Sequence, residues 1–174
     1  MNLPPFVYPL LKRVRFRPSL HWRLVRLLNT HFLLGVAGII TDDAGRLLLF
    51  HHTYRRRHPW GMPGGWMNSG ESPLQALERE VFEESRLTVR AERLLLVGTT
   101  PDRPKLEFVV GARLVSGTFQ PSREVSQMGW FAADAYPPLA QFHHVILSIL
   151  ADRASGGEGD PGWYEAPWVI AHPR

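Results

Sequence analysis

Residues 64–87 read G-G-W-M-N-S-G-E-S-P-L-Q-A-L-E-R-E-V-F-E-E-S-R-L, and the second half sets Arg79, Glu80, Glu83 and Glu84 within little more than one helical turn. Side chains three and four apart on a helix are neighbours. The three carboxylates therefore share one patch beside an apolar stripe of Leu74, Leu77 and Val81. Like charges placed so close repel unless a cation sits among them. An all-oxygen donor set suits a hard ion, Mg²⁺ or Mn²⁺, rather than zinc, which prefers nitrogen and sulfur.

The residues before the charge cluster read as a helix start. Ser72 is placed to cap, Pro73 falls at the first helical position, and Gln75 reaches back as in a capping box. Gly64, Gly65 and Gly70 would let a tight loop fold against the helix and bring backbone carbonyls near the carboxylates, so that loop and helix make one metal cradle.

Outward from this stretch, residues 32–41 are apolar and β-branched. After Asp42-Asp43-Ala44-Gly45 the chain is apolar again at 47–50, which predicts a hairpin with an Asp/Gly turn. Residues 51–63 carry His51, His52, Tyr54, Arg55, Arg56, Arg57, His58 and Trp60 between prolines, and are expected to be a loop. His51 and His52 would point to opposite faces of a strand, so they are poor joint ligands for one ion. The three arginines are either a solvated loop or a set of phosphate contacts, for which the guanidinium fork is suited.

Downstream, residues 89–100 and 106–115 are predicted strands separated by a turn at 101–105. Residues 125–132 form a shorter strand, and 139–153 are periodic at helical spacing. The organisation expected is a basic arm with a short helix near 19–28 (residues 1–30), a central domain (31–154), and a glycine-rich link with an apolar tail (155–174). The tail aromatics Trp163, Tyr164 and Trp168 are expected to dock on the domain or on a second subunit in a homodimer.

At 174 residues, 44% of them hydrophobic, the chain has material for one domain with a real core. It contains no cysteine, which excludes disulfides, thiolate metal sites and a cysteine nucleophile, and makes the cytoplasm the default compartment. No apolar run is long enough for a membrane span, and no export signal is recognised at the N-terminus. The net charge of +4 conceals an asymmetry: Lys12, Arg13, Arg15, Arg17, Arg23 and Arg26 all precede the first acid, Asp42. That arm is either a helix with its arginines in solvent or a surface for nucleic acid or lipid head groups.

The central stretch resembles the signature of the Nudix hydrolases, G-x5-E-x7-R-E-U-x-E-E-x-G-U with U a bulky aliphatic. Gly65, Glu71, Arg79, Glu80, Val81, Glu83, Glu84 and Leu87 fall in register, and Arg86 stands where the family has glycine. The resemblance implies an α/β Nudix fold, a mixed β-sheet sandwiched between helices, and an Mg²⁺- or Mn²⁺-dependent enzyme. The reaction implied is cleavage of the pyrophosphate of a nucleoside diphosphate linked to another group: a nucleotide sugar, an ADP-ribose-like compound or a nucleoside triphosphate. It also implies metal ligation by Glu80, Glu83, Glu84 and the Gly64 carbonyl, with Arg79 orienting the carboxylates and Glu71 bracing the loop.

The general base is open among Glu80, Glu83 and two glutamates outside the signature, Glu107 and Glu124; at Gln127 an amide stands where an acid was sought. Arg55, Arg56, Arg57 and Trp60 are candidate substrate contacts, with Tyr54, Trp66 and Phe108 as further stacking surfaces. Subfamily markers are mostly absent: the coenzyme A and NADH patterns are missing, and Pro104 replaces the tyrosine of the diadenosine polyphosphate enzymes. Pro101 and Pro104 lie near the proline that marks ADP-ribose hydrolases. Two alternatives remain, an RNA 5′-end pyrophosphohydrolase and a non-catalytic nucleotide-sensing domain. Without a glycine at 86, the helix must end either in a different turn or in a strained one.

Overall fold

The computed structural model describes residues 23, 26–29, 31–99, 104–154 and 163–165. Met1–Phe32 and Leu33–Arg174 are separate compact units. In the first, Arg23 and residues 26–28 are helical, within the span predicted for a short helix, while the rest of the basic arm lies outside the described residues. So do residues 101–103 of the turn predicted at 101–105, of which Lys105 instead opens a strand, and most of the tail. No helix among the described residues is long and apolar enough to cross a membrane.

The second unit is a mixed α/β structure. Strands β1 (Leu33–Ile40), β4 (Gly64–Trp66), β5 (Thr88–Thr99), β6 (Lys105–Ser116) and β8 (Trp163–Glu165) form one sheet in the order β4-β1-β6-β5-β8. Strands β2 (Leu47–His52), β3 (Trp60–Gly61) and β7 (Val125–Phe131) form a second, in the order β3-β2-β7. β1 and β6 run parallel while the other pairings are antiparallel. Helices α1 (Pro73–Ser85) and α2 (Gln141–Ala154) complete the unit.

The alternation of side chains along the strands makes two cores. Val36, Ile40, Leu48, Phe50 and Val110 pack with Leu74, Leu77 and Val81 of α1. Ala37, Leu47, Leu49 and Val109, on the opposite faces of the same strands, pack with Ile146 and Ile149 of α2. The central strands β1 and β2 thus lie between the two helices, buried on both faces over most of their length, which is why they read as continuous apolar runs rather than alternating ones.

Three local expectations are corrected. The predicted hairpin is not one: the turn forms, with Gly45 N–H donating to the Asp42 carbonyl at 2.9 Å, but β1 and β2 share a single bridge, Thr41 to Leu47, and then enter different sheets. Both strands are apolar on both faces, and each gains more burial between layers than in a two-stranded ribbon. The expected loop at 51–63 is partly strand, because β2 continues through His52 and β3 occupies Trp60–Gly61. The expected glycine loop is likewise extended strand at Gly64–Trp66, paired antiparallel to β1. In the tail, Trp163–Glu165 adds to the edge of β5, through register pairs such as Val97 with Tyr164.

Helix α1 starts as its sequence dictates: Ser72 accepts from Gln75 N–H, and the Gln75 side chain accepts from Ser72 N–H at 2.9 Å. It ends at Arg86, whose φ of 62° is left-handed although the residue is not glycine. The strained turn is therefore the one adopted. Arg86 N–H donates to the Phe82 carbonyl at 2.9 Å, its guanidinium lies 5.2 Å from the Phe82 ring centroid, and Gln120 N–H donates to the Ser85 carbonyl at 2.9 Å. Arg86→Gly is expected to raise the unfolding free energy by about 0.5–1 kcal/mol, because glycine takes this conformation without strain. Ser72→Ala is expected to lower it by about 1 kcal/mol through loss of the cap. Chemical denaturation of both variants measures each effect.

Candidate active site

Arg79 is the hub from which the site is built. Its Nε and Nη2 donate to the two oxygens of Glu71 at 3.0 and 2.7 Å, and Nη2 also donates to the Trp66 carbonyl at 2.9 Å. Its Nη1 donates to Glu80 at 2.9 Å and to Glu83 at 3.1 Å. One planar fork thus ties the loop before α1, strand β4 and the exposed face of the helix together. The hydrogen bonds from Arg79 hold the Glu71 carboxyl below its usual range despite some desolvation, and those to Glu71 push the Arg79 pKa up in turn. Glu71 also accepts from the Asn68 N–H, so it joins the turn before the helix to the helix itself.

Glu84 stands on the same helix outside this network. Its residue is 5% exposed and its Oε2 has no hydrogen-bond partner. Burial, and next the charge of Glu80, push its pKa up to about 8, opposed by the Gly64 backbone N–H. Burial also raises Glu80, against the pull of Arg79.

The two glycines of β4 allow this crowding. A Cβ on Gly64, whose φ is 147°, would collide with the Val36 carbonyl, and one on Gly65 would lie 2.5 Å from the Glu80 carboxyl carbon. Strand and helix therefore meet across bare backbone.

Glu124 is brought to the same place from the other sheet. At the end of β2, Thr53 N–H donates to the Glu124 carbonyl at 2.9 Å and Thr53 Oγ1 to the Arg123 carbonyl at 2.7 Å. Ser122 Oγ accepts from the N–H of Glu124 and Val125, which shapes the turn into β7. Glu80, Glu83, Glu84, Ser122, Arg123 and Glu124 line one cleft of about 180 Å³, and the charge of Glu124 contributes to the raised pKa of Glu80 and of Glu84.

Glu107 is elsewhere. It is 3% exposed on β6, in an ion pair with Lys105, and lines a second pocket of about 420 Å³. Gly64 and Gly65 also line that pocket, and Gly65 lies against the Glu80 carboxyl of the cleft. Its other walls include Tyr54, Arg55, Trp66, Phe142 and His143. The Lys105 ammonium lies 4.8 Å from the Trp66 ring centroid and 5.3 Å from that of Phe142.

Of the other expected substrate contacts, Arg56 and Arg57 are exposed and do not line the pocket. Trp60 is packed edge-on against His51 and Phe131, beside the core that α2 covers. Phe108 lines neither hollow.

Lys105, Phe142 and His143 were not anticipated. Lys105 could have been found from its place two residues before Glu107 on one strand, which puts both on one face. His143 offers only the weak signal of a polar residue within an apolar helical period.

The NUDIX domain profile matches residues 31–151. An ADP-ribose pyrophosphatase of Methanocaldococcus jannaschii is 27% identical over 124 residues, 69% of this chain and 73% of the relative. An RNA pyrophosphohydrolase of Yersinia enterocolitica is 35% identical over 142 residues, 79% of this chain and 74% of the relative. Among solved structures, an ADP-ribose pyrophosphatase from Streptococcus suis superposes with a TM-score of 0.57 at 26% identity, covering 74% of this chain and 95% of that one. A UDP-X diphosphatase reaches 0.63 at 22% identity, covering 88% and 79%, a likeness of fold. A profile match that spans β1 to β7 and the helix bearing the clustered glutamates makes this chain a member of the Nudix family.

Proposed function

We propose that the chain is a divalent-cation-dependent pyrophosphohydrolase that splits the pyrophosphate of a nucleoside diphosphate joined to another group. The observation that carries this reading is Glu84, a buried carboxyl with an unpartnered oxygen, set in a cleft with three further glutamates. Such a group is stable only if it keeps its proton or if a cation joins it. The donors are all oxygen, which fits Mg²⁺ or Mn²⁺. Glu80, Glu83 and Glu84, with the Gly64 carbonyl, are the residues that would hold the ion.

Among the described residues no three acidic or histidine side chains are close enough to clasp an ion as they stand. The reason is visible: Glu80 and Glu83 lean on Arg79 rather than toward Glu84. Arg79 holds those carboxylates in place through its hydrogen bonds, and Glu71 fixes Arg79, so we assign both to positioning. A bound divalent ion would offset charge on the pyrophosphate oxygens and acidify the attacking water.

Of the two glutamates outside the signature, Glu124 is the better placed to take the water's proton, because it faces the carboxylate cleft, whereas Glu107 is paired with Lys105 in the other pocket. Attack at phosphorus then breaks the bridging P–O bond. The 420 Å³ pocket, whose wall residue Gly65 lies against Glu80 of the cleft, is large enough to take the group beyond the pyrophosphate. Arg55 there is the phosphate contact, and Trp66 and Phe142 are its stacking surfaces.

The ADP-ribose pyrophosphatase relative supports a nucleotide-derived substrate of the ADP-ribose kind, and a cysteine-free chain suits the cytoplasm. The 35% identity to an RNA pyrophosphohydrolase favours RNA 5′ ends as the second reading. Assays of ADP-ribose, nucleotide sugars and 5′-triphosphate RNA with each metal decide between them.

Glu84→Gln is expected to lower metal-dependent kcat by about a hundred-fold or more while leaving metal-free binding of ADP unchanged. Turnover that survives the substitution refutes the assignment.

The metal-free protein has a second signature. The folded pKa of Glu84, about 8, lies above the usual 4.5, so between those values the folded chain holds a proton that the unfolded chain has released. Stability in a chelator is therefore expected to fall as pH rises from about 4.5 to about 8, and the slope to flatten in Glu84→Gln. Denaturant midpoints taken through that window measure it.

A further inference from the structure

Of the three consecutive arginines, only Arg55 lines the larger pocket, where it is half-buried. Its Nη1 donates to His143 Nε2 at 3.1 Å, and its guanidinium carbon lies 5.6 Å from the Tyr54 ring centroid. Among the described residues no carboxylate lies within ion-pairing distance of it. Burial raises the pKa of both Glu84 and Glu107, and the charge of Arg55 opposes part of each rise. Arg55 shares the pocket wall with Gly65, which lies against Glu80 of the cleft.

His143 comes from α2, 88 residues further along the chain, and is 4% exposed. Burial first, and the charge of Arg55 next, hold its pKa down to about 3, so the ring is neutral at any working pH. A guanidinium only donates, which makes Nε2 the acceptor and puts the ring proton on Nδ1. The backbone leaves room for the pair at Gly61, where a Cβ would collide with the Arg55 guanidinium and lie 2.7 Å from His143 Nε2. His52, fully buried with both ring nitrogens unpartnered, is a further neutral neighbour and adds no negative charge.

The choice of an imidazole has a consequence. A carboxylate at this position would hold the guanidinium but cancel its charge, whereas a neutral acceptor holds it and leaves the charge free for a ligand. We propose that His143 is a positioning residue that fixes Arg55 as an uncompensated cation, and that Arg55 binds a phosphate group of the substrate in the larger pocket beside the cleft. The assignment rests on the pyrophosphohydrolase reading, but its test does not require turnover.

ADP is titrated calorimetrically into the full-length parent, Arg55→Ala, His143→Ala, His143→Gln, His143→Glu and the double alanine variant, with melting temperatures recorded for each. Steady-state KM and kcat are measured in parallel on ADP-ribose. Arg55→Ala is expected to weaken ADP binding about ten-fold and to raise KM more than it lowers kcat. His143→Ala should weaken binding only while Arg55 is present, adding nothing in the double variant. His143→Gln, which keeps an acceptor oxygen, should stay within about three-fold of the parent, while a folded His143→Glu should bind as weakly as Arg55→Ala.

The proposal is overturned if Arg55→Ala binds ADP like the parent, or if His143→Ala weakens binding equally without Arg55. It is equally overturned if a folded His143→Glu binds as the parent does. Should no diphosphate be hydrolysed while ADP binding follows the expected pattern, the enzymatic reading falls and this one stands.

Discussion

The guanidinium of Arg79 holds together what would otherwise fly apart. Three glutamates follow it within five residues on one helix, and a fourth precedes it at Glu71. Arg79 bonds to three of these four and to the backbone of β4, so one cation pins the loop before α1, the strand beside it and the helix in a single arrangement. The carboxylate it does not reach, Glu84, is the buried one. Like-charge crowding is thus relieved on one side of the helix and kept on the other, which is the condition for attracting a cation rather than merely tolerating acids.

That arrangement depends on how closely two elements can approach. Gly65 presents bare backbone to α1 and Gly64 to β1, and both line the larger pocket. The apolar faces of β1, β2 and β6 hold α1 and α2 against opposite sides of the strands. The acidic helix consequently borders the cleft, while α2 supplies Phe142 and His143 to the neighbouring pocket.

Two half-buried arginines show how partner chemistry decides use. Arg79 is saturated by carboxylates, so its charge is spent inside the protein and its role is architectural. Arg55 is held by a neutral ring and an aromatic face, so its charge stays available. Residue type and exposure alone do not separate them.

By itself the sequence determined the helix and its chemistry: the cap at Ser72 and Gln75, the carboxylate patch, the oxygen-donor preference and the left-handed problem at Arg86 all follow from residues within one or two turns of each other. Interactions of such short range are legible in a linear string. Strand positions were legible for the same reason, but not strand partners: the stretch at 32–50 has the pattern of a hairpin, and only competition for burial on both faces sends β1 and β2 into different sheets. The fates of Glu107, Glu124 and Trp60 were equally hidden. Tertiary structure alone decided that Glu124 joins the cleft, that Glu107 lines the larger pocket instead, and that Trp60 packs beside the core. It also decided that a histidine 88 residues away holds Arg55, because contacts between distant segments are set by how whole layers pack rather than by any local pattern.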